Sequence, residues 1–264
     1  MMEGIHGNAG GEYVMQRIFV LGLASLMAAV GAANAADVKV LSGGAVQIVV
    51  ETLADEYAKK TGNKIVALFA PMGMLRDKLR AGEKADLLFM TDAALDNVTK
   101  DGVKFAGERK AVGRVIVGVA VKEGAPMPDI SSVEAFKKAL LAAKSVGYAD
   151  PASGATSGMH FAKMLEKMGI AAEINKKAKL RPGGFVMELV ANGEAEIGVQ
   201  QITEILPVKG IKLVGPLPAE INLMSTYLGA VVMGAPPEAR GFLDFVTANE
   251  ARPVVEKAGF QWPR

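Results

Sequence analysis

The sequence contains no cysteine. This absence excludes disulfide bonds, thiol nucleophiles and metal sites built on thiolates, so the apolar core has to hold the folded chain together. Histidine is almost as rare, with two in the sequence, His6 and His160. His6 falls in a predicted leader, and His160 alone excludes a histidine-cluster metal site or a mechanism that needs two histidines. We therefore predict no bound metal and no cofactor.

Clustered positive charge is also missing. The 30 Lys and Arg residues nearly balance the 28 Asp and Glu residues, and half of the sequence is hydrophobic, which is typical of a globular protein. Residues 1–35 contain Arg17, Glu3 and Glu12, so the chain without them has 29 basic and 26 acidic residues, a net charge of +3. Since no basic stripe accompanies this balance, the sequence argues against a nucleic-acid partner.

The N-terminal segment MQRIFVLGLASLMAAVGAANA has one arginine, an apolar run over 18–30 and a small-x-small site at 33–35. This is the layout of a cleavable secretory signal peptide, and its apolar run is short for a membrane span. We predict a signal peptide over 1–35, with Met15 as the more natural start and a buried N-terminal helix as the alternative. No later apolar stretch reaches bilayer length, so we expect a soluble, monomeric mature chain in the periplasm.

Apolar strands alternate with amphipathic helices along the rest of the chain. Strands that read as continuous apolar runs between helices are typical of a parallel sheet covered on both faces. The pattern occurs twice, and two long strands, near 114–121 and 226–233, are candidates to cross between two lobes. We predict an α/β fold with two lobes, each a mostly parallel sheet flanked by helices. Residues 36–115 with 226–264 would form lobe 1, and residues 116–225 would form lobe 2.

Three local assignments bear on the functional site. The spacing of apolar residues predicts a helix over about 159–168, directly after the loop DPASGATSG. The segment TEILPVKG, residues 203–210, is assigned to a loop. The C-terminal segment is assigned to two helices that Pro253 separates.

Four strand-to-helix loops share one chemistry, because they contain glycine, small residues and hydroxyls but almost no charge. They are residues 42–45, 71–73, 153–158 and 182–184. Glycine lets a ligand approach the backbone, and a helix N-terminus presents unpaired N–H groups with a partial positive charge. One such loop is more simply an ordinary connection. Four of them at predicted strand ends favour an anion or carboxylate pocket in the cleft between the lobes.

Four segments occur in the order and spacing of a known family: VKVLSGGAVQIVVETLADEYAKKTG, LRAGEKADLLFMTD, GYADPASGATSGMHFAKMLEKMGI and VANGEAEIGVQQITEIL. Along essentially its whole mature length the chain resembles the periplasmic molybdate-binding proteins. These are solute receptors of ABC importers with the two-lobed type II periplasmic binding protein fold. The resemblance implies a small anionic ligand and an ABC permease as partner.

The chain departs from the molybdate binders at three loops. Ala45 stands where the family carries a serine, residues 71–73 replace a serine-rich turn, and Gln200-Gln201 stand where a tyrosine is expected. A tetrahedral oxyanion needs neutral donors on every side, so these losses favour a larger, partly apolar anion such as a small organic acid. In this respect the chain resembles the organic-acid branch of the superfamily, which includes aconitate isomerase.

We expect backbone amides and neutral side chains to bind the ligand. The candidate ligand-binding residues are Ser42, Gly43, Gly44, Ala45, Met72, Gly73, Arg76, Thr156, Ser157, Gly158, Gly184, Gln200, Gln201 and Tyr227. If the protein is an enzyme, Glu204 and His160 are the candidate catalytic residues. Alternatives stay open for three of these residues. Arg76 could be a solvent-facing partner of Asp77 or Arg80, His160 could cap or pack, and Tyr227 could belong to the core.

Two functions follow from these residues. The first is a periplasmic receptor that closes two lobes over a small anion and presents it to a membrane permease. The second is a periplasmic isomerase of an unsaturated tricarboxylate, which would need one basic group to move a proton across an allylic unit. A receptor needs no titratable group beside the ligand, whereas an isomerase does.

Overall fold

The computed structural model describes Met1 and residues 37–263. The predicted signal peptide, apart from Met1, lies outside the described residues. The described strands are β1 (Asp37–Ser42), β2 (Lys64–Phe69), β3 (Leu87–Thr91), β4 (Lys110–Lys122), β5 (Val146–Ala149), β6 (Ala178–Arg181), β7 (Ile197–Gln201), β8 (Ile211–Pro216) and β9 (Met224–Val231). The described helices are α1 (Gln47–Thr61), α2 (Met72–Arg80), α3 (Asp92–Lys100), α4 (Val133–Ala142), α5 (Thr156–Lys167), α6 (Ala171–Asn175), α7 (Met187–Ala191), α8 (Ile202–Ile205), α9 (Pro237–Thr247) and α10 (Arg252–Lys257).

The strands form a curled sheet in the order β2-β1-β3-β9-β4-β7-β5-β6, with β8 also paired to β4. Strands β1, β2 and β3 run parallel, as do β5, β6 and β7. The long strand β4 joins the two sets, because its first half pairs antiparallel with β9 and its second half with β7 and β8. This confirms the predicted α/β fold of two lobes with β4 and β9 as the crossing strands.

The buried side chains form separate clusters on the two sides of β4. Val115 belongs to a cluster built from β1, β3, β9, α1 and α9, in which the Phe89 and Phe242 rings pack edge to face at 6.3 Å. Val117, two residues further along β4, belongs to a second cluster around Tyr148 and Phe161. Apolar clusters on both sides of this shared strand hold two sets of strand ends at fixed positions. The predicted lobe boundaries remain a proposal.

Three local assignments differ from the sequence prediction. Helix α5 begins at Thr156, earlier than predicted, so the hydroxyl residues of the preceding loop lie in its first turn. Residues 203–205, assigned to a loop, belong to the single-turn helix α8. Pro253 does not separate the last two helices, since α9 ends at Thr247 and Pro253 lies in the first turn of α10, where its missing N–H costs nothing.

No helix within residues 37–263 is both long and apolar enough to cross a bilayer. Several glycines have the left-handed backbone that the sequence pattern predicts at helix ends. Gly62, for example, follows α1 with φ of 77° and donates its N–H to Ala58 O. Such ends fix where each connection turns back toward the sheet.

Candidate functional site

A cavity of about 50 Å³ lies beyond the carboxyl ends of β1, β2, β5 and β7. A cavity of this size suits a small ligand better than a drug-sized one. Ten of the residues predicted from the sequence line it together: Gly44, Ala45, Met72, Thr156, Ser157, Gly184, Gln200, Gln201, Glu204 and Tyr227. The loops from both halves of the chain therefore meet at one place.

Two helices direct their N-terminal ends at this cavity. Helix α1 follows a 3₁₀ turn over Gly44–Val46, and α5 follows Ala155 in an extended conformation. No side chain caps the N-terminus of either helix. The first N–H groups of α5 are therefore available to an anion, with the helix dipole adding a partial positive charge. At the start of α1, the N–H groups of Val46 and Gln47 already donate to Gly43 O and Gly44 O.

The lining carries no positive side chain: among the described residues that form the cavity there is no lysine, arginine or histidine. Its one ionisable carboxyl belongs to Glu204 and its one phenol to Tyr227. Within residues 37–263, no group of three or more His, Asp and Glu side chains could hold a metal ion. A bound anion would therefore be met by N–H and O–H dipoles.

Glu204 lies in the first turn of α8, with its carboxyl group against the backbone of Gly44. A Cβ placed on Gly44 would be 2.6 Å from Glu204 Oε1, so another residue there would require the carboxyl group to move. Burial raises the pKa of Glu204 from 4.5 to about 8, and a hydrogen bond with Gln200 lowers it only in part. The carboxyl group is therefore mostly protonated at neutral pH and titrates close to it.

Tyr227, at the start of the crossing strand β9, connects the two sides of the cavity. Its hydroxyl donates to Gln201 Oε1 at 2.8 Å and also hydrogen-bonds Thr156. Burial, and then the nearby charge of Glu204, raise the pKa of the phenol well above its ordinary value. The phenol therefore stays protonated and acts as a donor.

The two glutamines at the end of β7 have different environments. Gln200 Oε1 accepts from Val186 N at 2.9 Å and its Nε2 donates to Gly184 O at 3.0 Å, so this side chain fixes the loop before α7. Gln201 is 3% exposed, and its Nε2 has no hydrogen-bond partner among the described residues. A buried amide donor without a partner costs free energy, which a ligand oxygen would recover.

Glycines bring the loops of the two lobes into direct contact beside the cavity. A Cβ on Gly73 would lie 2.7 Å from Ser153 O and 2.9 Å from Gly154 Cα. On the other side of the same contact, Gly154 has a left-handed φ of 73°. Gly43 also lies beside the lining, where a Cβ would meet the Met72 side chain.

Four further predicted residues lie outside the cavity lining. Ser42 is fully buried, and its hydroxyl donates to Gly43 O at 3.1 Å. Gly158 allows α5 to pack on β5, since a Cβ there would lie 2.1 Å from Ala149 O. The other two, Arg76 and His160, were the charged and titratable candidates.

Arg76 points away from the cavity and binds Asp101 through two hydrogen bonds, at 2.5 and 3.0 Å. The sequence alternative placed Arg76 at the surface beside Asp77 or Arg80, whereas its hydrogen-bond partner is an acidic residue 25 positions along the chain. His160 Nε2 contacts Ile221 O at 2.8 Å, which is the capping or packing alternative. Neither side chain reaches the cavity, so we do not assign either to the ligand or to catalysis.

The sequence prediction missed several lining residues, among them Gln47, Phe69 and Ala149. Gln47 is the first residue of α1, one turn beyond the glycines, so its place at a loop-to-helix junction was a usable signal. Phe69 is the last residue of β2 and contributes an apolar wall. Its inward direction depends on the register of the strand, which the loop composition does not reveal.

Comparison with known proteins gives relatives in one superfamily. The chain is 34% identical over 230 residues to an aconitate isomerase of Pseudomonas sp., covering 84% of this chain and 86% of that protein. It is 24% identical to the molybdate-binding protein ModA of Escherichia coli (strain K12), covering 86% of this chain and 90% of that protein. Its fold matches the periplasmic molybdate-binding protein of Azotobacter vinelandii with a TM-score of 0.68 at 17% identity, covering 86% of this chain and 100% of that one.

The family model described as bacterial extracellular solute-binding protein matches residues 38–261. That range includes every described strand except the first residue of β1, and all of the loops that form the cavity. Its members act outside the cytoplasm, bind small solutes and work with ABC importers. The chain belongs to the bacterial extracellular solute-binding protein family.

Proposed function

We propose that the protein binds a small unsaturated carboxylic acid in the cleft and moves its double bond by proton transfer through Glu204. The observation that carries this proposal is the place of Glu204, the one ionisable carboxyl in a cavity without cationic side chains. A carboxylate there weakens the binding of any anion by repulsion. A general base with a pKa near the working pH, however, is what a proton-transfer enzyme requires.

The lining supports an organic acid as the ligand. Phe69, Met72 and Ala149 contribute apolar surface, while Thr156 and Gln201 contribute polar groups. A carbon skeleton that carries carboxylates matches such a mixed surface, whereas a tetraoxyanion leaves the apolar part without a partner. The 34% identity to an aconitate isomerase, against 24% to a molybdate-binding protein, agrees with this choice.

The proposed reaction needs only the residues of the chain. The ionised Glu204 takes a proton from the saturated carbon next to the double bond, and the released electron pair forms the new double bond. The electrons of the old double bond move toward the conjugated carboxylate, giving a dienolate, and Glu204 returns the proton to the carbon at the far end. The uncapped N–H groups at the start of α5 would stabilise the extra charge on the carboxylate oxygens. No oxidant, reductant or cofactor is required.

Capture of an organic acid for an ABC permease is the second candidate. Family membership favours it, and so does the contact between Gly73 and Gly154, which is suited to closing the cleft over a ligand. In this case the protonated Glu204 would donate a hydrogen bond to a ligand carboxylate. The protein would then take up a proton when it binds the ligand, without chemistry.

Incubation of the purified protein with cis- or trans-aconitate, with products separated by chromatography, distinguishes the two. We expect interconversion, exchange of ligand protons with heavy water, and a loss of at least about a hundredfold in rate in Glu204→Gln, the general acid–base contribution. The matched control is Glu166→Gln, an exposed residue of α5. Tight binding of aconitate without interconversion would leave the receptor function, and no binding of either isomer would refute aconitate as the ligand in both cases.

A further inference from the structure

The amide of Gln201 stands out from the other polar groups of the cavity. The side chain is buried, it lines the cavity, and its Nε2 has no hydrogen-bond partner among the described residues. The rest of the side chain is fixed, since Oε1 accepts the Tyr227 hydroxyl at 2.8 Å. Of the two ends of this amide, the acceptor is satisfied and the donor is not.

Tyr227 determines which end of the amide remains unsatisfied. Its hydroxyl also hydrogen-bonds Thr156, the first residue of α5. With the Thr156 hydroxyl donating to the phenol and the phenol donating to Gln201 Oε1, the NH₂ end is left for a ligand. Donors in such a chain polarise one another, so the terminal N–H becomes a better donor than an isolated amide.

We propose that Gln201 determines substrate specificity by donating its Nε2 hydrogens to one carboxylate of the substrate, with Tyr227 as the residue that positions its amide. The inference rests on the proposed function, since it gives the two parts of the site different tasks. Glu204 would transfer the proton, and Gln201 would anchor a carboxylate that does not react. The anchor rejects analogues without this carboxylate, because they leave a buried donor unpaired.

The anchored carboxylate keeps its charge in the ground state and in the transition state. Loss of its hydrogen bond therefore weakens both states equally, which raises KM and leaves kcat nearly constant. A hydrogen bond to a charged oxygen corresponds to a roughly tenfold to hundredfold change in affinity. Loss of Glu204 has the opposite pattern, in which kcat falls and binding is retained.

The test compares Gln201→Met, Tyr227→Phe and the double variant with the unchanged protein. KM and kcat are measured with trans-aconitate, and Kd by calorimetry. We expect Gln201→Met to raise KM and Kd at least tenfold with kcat within about threefold. Tyr227→Phe should raise them less, and the double variant should be no worse than Gln201→Met, because both changes remove the same interaction.

Gln201→Glu is the second variant, in case Gln201→Met does not fold. It keeps an acceptor for the Tyr227 hydroxyl and replaces the donor by an acceptor, so it should weaken binding at least as much. If the unchanged protein isomerises aconitate and both Gln201 variants fold with an unaltered KM, Gln201 is not the anchor and the proposed reaction stands. If the unchanged protein neither binds nor isomerises aconitate, both the proposed function and this inference are refuted.

Discussion

The Glu204→Gln substitution should change how the stability of the protein depends on pH. Burial against the backbone of Gly44 raises the pKa of this carboxyl from 4.5 to about 8 in the folded protein. The unfolded chain loses its proton near pH 4.5, whereas the folded chain keeps it up to about pH 8. Between these values the folded protein binds more protons, so its free energy of unfolding falls as the pH rises.

The size of this effect follows from the shift. At about 1.4 kcal/mol per pKa unit, a rise from 4.5 to about 8 removes roughly 5 kcal/mol of stability between pH 4 and pH 9. Glutamine has nearly the same shape as glutamate and stays neutral, so the free energy of unfolding of the variant does not fall in this way as the pH rises. Its amide has its own cost of burial, but that cost is the same at every pH and cancels when two pH values are compared.

The assay is urea unfolding at pH 5, 7 and 9, followed by circular dichroism and by the fluorescence of Trp262, the one tryptophan of the sequence. We expect Glu204→Gln to gain several kcal/mol relative to the unchanged protein between pH 5 and pH 9. Glu166→Gln, an exposed carboxyl of α5, is the control and should follow the unchanged protein. Parallel curves for all three proteins would show that Glu204 ionises normally, which would remove the basis for its role as a base.

Three further substitutions test the geometry around the cavity. Gly73→Ala places a Cβ 2.7 Å from Ser153 O, so the two loops have to separate. Calorimetry should show at least tenfold weaker binding of the ligand, and equal affinity would contradict a closing contact. Gly158→Ala places a Cβ 2.1 Å from Ala149 O and should cost about 1–3 kcal/mol in urea unfolding, whereas an unaltered midpoint would be inconsistent with the close packing of α5 on β5. His160→Gln keeps a donor for Ile221 O and should leave the isomerisation rate within about twofold. A hundredfold lower rate would show that His160 takes part in catalysis.

The sequence was sufficient for the fold because its signals are local and repeated. Continuous apolar strands between helices predict parallel sheets, and the two long strands that join the lobes were identified within a few residues. The start of α5 was placed too late because SGMH contains no apolar stripe, although Thr156 and Ser157 already have helical backbone. Helix α8 is a single turn, too short for any periodicity to be detected.

The site was only partly predictable, because the contacts that a side chain makes depend on residues far away in the sequence. The glycine-rich loops could be identified from composition, and they meet at one cavity. Whether Arg76 faces the ligand is decided by Asp101, which lies on a different element and takes both of its hydrogen bonds. No local pattern contains that information.

Glu204 shows why one residue can separate a receptor from an enzyme on the same scaffold. A receptor can bind its anion with uncharged donors alone, since it requires only that the ligand bind the closed state more tightly than the open state. A carboxyl group in the lining weakens that binding, and here it lies against the backbone of Gly44, where an added side chain would have to displace it. Since burial also brings its pKa to about 8, the same contact that weakens simple anion binding creates a base suited to neutral pH. The cost in binding is therefore explained if the carboxyl group transfers protons, whereas in simple capture it is offset only by the hydrogen bond that a protonated Glu204 would donate.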